Sequence, residues 1–153
     1  MLPSTDQRVP QHTPDRYNAA IRRQTEANVA RYAREGRAAI DRRLAELDRE
    51  WDIERVLEAN AASVALIGLG LSALVSRKFL VLPVLVGGFL LQHALQGWCP
   101  PVPLFRRLGV RTAAEINQER FALKSLRGDF QHLPAGEGVD QTLVHSTLRA
   151  VSL

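Results

Sequence analysis

Residues 59–76 read ANAASVALIGLGLSALVS and residues 79–98 read FLVLPVLVGGFLLQHALQGW, with only Arg77-Lys78 between them. Neither stretch carries a charge. As helices rising ~1.5 Å per residue they extend roughly 27 and 30 Å, against a hydrocarbon core of about 30 Å. Both are apolar on every side, and the remaining, mostly polar residues are too few to cover two such helices in a soluble bundle. The reading is an all-α integral membrane protein built on a two-helix transmembrane hairpin. A two-residue link permits only an antiparallel pair, so both termini lie on one side. Arg42, Arg43, Arg49 and Arg55 flank the hairpin before it, and Arg106, Arg107 and Arg111 after it. The turn offers two basic residues. That asymmetry predicts a multi-pass protein with both termini in the cytoplasm.

Outward from the hairpin, the composition is sharply segregated. Residues 1–58 hold 11 arginines, 11 acidic residues and no lysine, so their formal charge is zero. Residues 99–153 hold 7 basic and 5 acidic side chains. The slightly negative mean hydropathy averages these segments and hides the apolar pair. A net charge of +4, with no basic stripe or aromatic stacking platform, argues against nucleic-acid binding. Cys99 is the one cysteine, which excludes an internal disulfide and a cysteine-rich zinc site. Met1–Pro14 is polar and has three prolines, so it lacks the apolar core of a signal peptide. Insertion is expected to be directed by the internal apolar segments.

Residues 1–12 read as a disordered lead-in. Thr13, Pro14 and Asp15 then mark a helix start, and residues 13–50 read as one long amphipathic cytoplasmic helix. Its less polar positions are Tyr17, Ile21, Thr25, Val29, Tyr32, Gly36, Ile40, Leu44, Leu47 and Trp51. Their spacing averages slightly above 3.6 and favours straight or weakly right-handed pairing. A stripe this thin needs a partner or the membrane surface to stay ordered. Asp52 can cap a further helix, with Trp51 at headgroup level.

Residues 51–130 are read as the hairpin domain, with helices at about 59–76 and 79–98. Lipid supplies no hydrophobic force between helices, so close backbone approach must hold them. Ala61, Ala65, Gly68 and Ser72 form a small-residue stripe on the first helix, and Gly87, Gly88 and Ala94 offer small residues on the second. These faces are expected to meet each other or to make a dimer contact. Pro100, Pro101 and Pro103 stop the second helix. Arg106, Arg107 and Arg111 then interleave with Leu104, Phe105 and Leu108, which suits contact with lipid headgroups on the inner leaflet. Thr112-Ala-Ala-Glu115 is a capping box, predicting a short amphipathic helix over 113–127 ended by Gly128. Arg127-Gly128-Asp129 spells an adhesion tripeptide, here a coincidence at a helix end. Residues 131–153, with Pro134, Gly136 and Gly138, read as a flexible tail.

No residue set reads as an active site, and no cofactor is implied. Gln92, His93, Gln96 and Cys99 cluster at the cytoplasmic end of the second helix, and polar residues at such depth are functional candidates. The plainer reading is that they hydrogen-bond across the helix pair. One histidine and one thiol are too few for a metal, and a proton relay would want a carboxylate, which the hairpin lacks. Cys99 ends a helix, where the dipole disfavours a thiolate.

Gly97-Trp98-Cys99-Pro100 leaving the second apolar segment, followed by Leu108-Gly109-Val110-Arg111-Thr112, carries a resemblance. The stretch from about Trp51 to Phe130 resembles the YgaP-type transmembrane domain family of bacterial inner-membrane proteins, a domain of unknown function. That resemblance implies an inner-membrane location and a hairpin architecture. In that family the hairpin is sometimes fused to a rhodanese sulfurtransferase domain. This chain has no rhodanese-like cysteine loop, so sulfurtransferase activity does not carry over. The expectation is a small non-enzymatic membrane protein, contacting lipid, that self-associates or binds a protein partner through cytoplasmic helices. Two alternatives stand beside it: a thiol-dependent accessory to membrane sulfur or redox metabolism through Cys99, and a carrier or channel of oligomerised hairpins.

Overall fold

The computed structural model describes residues 4–131 and 141–151. Among them every regular element is helical. They are α1 (Arg8–Gln11), α2 (Asp15–Glu35), α3 (Arg37–Leu47) and α4 (Ile53–Leu74), then a 3-10 turn over Arg77–Leu80. α5 (Val81–Gln96), α6 (Val102–Arg107), α7 (Ala113–Arg127) and α8 (Gln141–Val151) follow. The chain divides into two compact units, Met1–Ile21 with Trp51–Ala114, and Arg22–Glu50 with Glu115–Leu153. This differs from the division expected from sequence, which kept residues 113–127 with the apolar pair. The reason is side-chain burial: Ile116 and Leu123 of α7 share a core with Tyr32, Ile40, Leu44 and Leu47.

In the first unit, the Asp52 side chain accepts from the Arg55 amide at 2.8 Å and starts α4. Satisfying an otherwise orphaned amide is what an N-cap carboxylate does. α4 and the run Arg77–Gln96 are each long and apolar enough to cross a membrane. They pack against each other. The reversal lies at Val75 and Ser76, with the Ser76 hydroxyl facing the Lys78 amide at 3.4 Å. Arg77 and Lys78 therefore already open the returning helical limb of the pair and are not the turn itself. A second core gathers Val9, Ile53, Leu57, Cys99 and Val102. The lead-in expected to be disordered is thus corrected. α1 forms within it, and Val9 is 2% exposed. Thr13 donates to the Val9 carbonyl at 2.8 Å, tying the segment back on itself.

In the second unit the long polar helix is broken. Gly36 takes φ +89 between α2 and α3, a conformation in which glycine is nearly free and L-residues are not. Ile21 in the first unit, and Thr25, Tyr32, Ile40, Leu44 and Leu47 in the second, are nevertheless the buried positions, while Trp51 is exposed. Ion pairs run along this core. Glu119 is fully buried, and Arg43 donates to it at 2.7 Å. Arg120 pairs with Asp48 at 2.9 Å. Arg127 pairs with Asp41 at 2.6 Å and Asp129 at 2.5 Å, so the Arg127-Gly128-Asp129 tripeptide is spent internally. The tail expected to lack structure contains α8, with Leu143, Val144, Leu148 and Val151 recurring at helical spacing. Lys124 donates to the Ala150 carbonyl at 3.3 Å. Pro134, Gly136 and Gly138 lie outside the described residues.

Candidate functional site

The most concentrated chemistry in the first unit is a cluster of three side chains from distant parts of the sequence. Glu54 stands in the first turn of α4, His93 in the last turn of α5 and Arg8 at the start of α1. His93 is 4% exposed, and its Nε2 lies 2.8 Å from Oε2 of Glu54. The other carboxylate oxygen accepts from Arg8 at 2.7 Å. Arg8 also donates to the Ala94 carbonyl at 3.1 Å, at the exposed C-terminal end of α5. An ionised carboxylate only accepts, so the pairing fixes the imidazole proton on Nε2. Nδ1 of His93 and Nε of Arg8 are buried without a hydrogen-bond partner. The arrangement is an oriented imidazole whose other nitrogen is buried, joined through a shared carboxylate to a guanidinium.

Gly97 makes the cluster possible. It ends α5 in the left-handed region at φ +77, and a β-carbon there would overlap the backbone of Arg8. One glycine thus serves both as the helix stop and as the place where α1 crosses.

The uncharged stretches hold no carboxylate, but Glu54, on α4 just upstream of the first of them, reaches His93 from outside. With the reversal at Val75 and Ser76, equal counts along both helices bring His93 to about the level of Glu58, one turn from Glu54. The sequence reading placed the turn at Arg77-Lys78 and so did not give that register. Arg8 carried no signal, since a lone arginine in a proline-bearing polar segment has no periodicity to place it. Gln92 is half-buried and Gln96 exposed.

Cys99 is 5% exposed, and burial pushes its thiol up from the ordinary value. It ends a half-open apolar cavity of about 170 Å³ between α4 and α5, lined by Leu57, Val64, Val86, Phe89 and Leu90. Of the two alternatives for the small-residue faces, their meeting each other within the chain is corrected. Gly68 is buried, and a β-carbon on it would stand 2.8 Å from Leu82 and Pro83. Gly87 and Gly88 face outward with nothing nearby. Ala61, Ala65 and Ser72 are half-buried along the Gly68 face. The second helix therefore meets the stripe with Leu82 and Pro83, because these cover the bare backbone that two glycines would leave unfilled.

Two of the three arginines expected at lipid headgroups are instead inside. Arg106 is 1% exposed, donating to Asn18 at 2.8 Å and to the Val110 carbonyl at 3.1 Å. Arg111 is 6% exposed. Their polar partners lie within the chain, which the alternation with leucines could not reveal. Arg107 remains exposed. Among the described residues no group of three or more His, Cys, Asp or Glu is placed to hold a metal ion. No family model, curated protein or solved structure matches the chain.

Proposed function

We infer that this chain is a non-enzymatic protein of the bacterial inner membrane. The α4–α5 hairpin anchors it, both termini are cytoplasmic, and the helices of the second unit serve self-association or capture of a protein partner. One observation carries the reading. In the most apolar 18-residue window of each spanning helix, 11% and 6% of residues are buried by the rest of the chain. Leu66, Ile67, Leu74, Val84 and Leu91 are all more than half exposed. Contiguous apolar surface on that scale needs an apolar medium, and the two helices have the length to find it across a bilayer. Seven flanking arginines against Arg77 and Lys78 support the cytoplasmic termini. The resemblance around Gly97-Trp98-Cys99-Pro100 supports the inner-membrane assignment.

The buried thiol of Cys99 weighs against the sulfur or redox reading. The second unit offers the surface for assembly: an open apolar groove along α2 and α7, lined by Val29, Ala30, Ala33, Ala122 and Leu126. The test is membrane fractionation with carbonate washing, followed by accessibility of single cysteines in a Cys99→Ala background. Lys78→Cys is expected to react only from outside and Gln24→Cys only from the cytoplasm. Recovery in the soluble fraction, or labelling of both from one side, overturns the anchor. Crosslinking in native membranes is expected to give a defined homo-oligomer or a discrete partner band, and a chain that remains monomeric and unpartnered overturns the assembly role.

A further inference from the structure

We propose that Glu54 is a shared carboxylate that makes α1 a pH-sensitive latch, docked when His93 is neutral and loosened when His93 takes a proton. This goes beyond anchoring and does not depend on it. The geometry gives each oxygen of Glu54 one partner: Arg8 on α1 at 2.7 Å and His93 on α5 at 2.8 Å. With His93 neutral, Arg8 faces an uncompensated negative charge. With His93 protonated, the carboxylate is matched by the imidazolium, and Arg8 meets a second cation behind it. Acid therefore strengthens the α4–α5 contact at the expense of the α1 contact.

Among the described residues, the charged groups joined to the imidazole are Glu54 from α4 and, through it, Arg8 from α1. His12 is the other imidazole beside α1, its Nδ1 3.2 Å from the Arg8 carbonyl. A proton on the His93 imidazole therefore releases the latch, and its loss restores the docked state.

Docking has further supports: the buried Val9, the Arg8–Ala94 bond and the crossing at Gly97. Glu54 is also one-third exposed. The expected effect is accordingly about fivefold, at the low end of couplings between linked sites.

The experiment uses the full chain in lipid nanodiscs, carrying Cys99→Ala and a spin label at Gln11→Cys on the exposed end of α1. The ratio of mobile to immobile label is expected to rise about fivefold between pH 8 and pH 5. It is expected to stay flat in His93→Gln and to keep its rise in His12→Gln. Arg8→Gln, which leaves the α4–α5 contact untouched, is expected to give a mobile label at both pH values. A transition that persists in His93→Gln overturns the latch. So does a transition abolished by His12→Gln, or an Arg8→Gln variant with α1 docked and responding as in the parent.

Discussion

The α-carbon of Gly97 lies against the backbone of Arg8, so close that a β-carbon would overlap the Arg8 carbonyl. Two demands meet at that glycine, a left-handed helix stop and the passage of α1. Replacement by alanine is expected to cost about 1–2 kcal/mol from the backbone alone, with a further loss as α1 is displaced. Gly109 has a similar φ of +86 and nothing within 4 Å, so Gly109→Ala is expected to show the backbone cost only. Denaturant titration of both variants in detergent measures the difference, and equal losses would mean that α1 does not cross there.

Gly68→Ile and Gly87→Ile should separate the two faces of the helix pair. The first drives atoms into Leu82 and Pro83, and overpacking of this kind costs about 1–3 kcal/mol. The second points into open space and is expected to leave the α4–α5 contact unchanged. An engineered crosslink between α4 and α5 reads the contact directly, and equal damage from both substitutions would refute the packing assigned to Gly68.

Cys99 is predicted to be sluggish towards maleimide. Only the thiolate reacts, and burial both hides the sulfur and raises its pKa. Labelling of the folded protein at neutral pH is expected to be at least about tenfold slower than after unfolding. Comparable rates would return Cys99 to the list of reactive thiols.

The second unit is expected to lose stability in acid through Asp129. The Arg127 guanidinium holds this carboxyl below its ordinary value of 3.8. A depressed carboxylate pKa contributes stability that is fully present above 3.8 and lost as pH falls through the lower, folded value. Asp129→Asn is therefore expected to be less stable than the parent at neutral pH and equal to it at strongly acid pH. A stability gap that stays constant from neutral to acid pH would show that the pair contributes nothing.

Much of the architecture was legible in the chain. The uncharged runs between Ala59 and Trp98 announce two apolar helices, because length and the absence of charge are local properties. The inward stripe from Ile21 to Leu47 was legible for the same reason, since periodicity alone sets which side of a helix is apolar. The break at Gly36 was only weakly signalled, as glycine permits a left-handed residue without requiring one. Arg106 shows the limit on the site. The same alternation of leucine and arginine fits a helix on a lipid surface and one folded over Asn18.

The sequence by itself determined that the protein is helical, that two segments are fit for an apolar medium, and where charge is excluded. These follow from composition within a window of some twenty residues. The tertiary structure alone decided that Arg8, Glu54 and His93 meet, that Arg106 turns inward, and that Gly68 rather than Gly87 receives the neighbouring helix. Those outcomes depend on the register of one helix against another and on where a short segment crosses. A shift of a few residues in the reversal at Val75 and Ser76 would carry His93 away from Glu54 while leaving every local pattern intact.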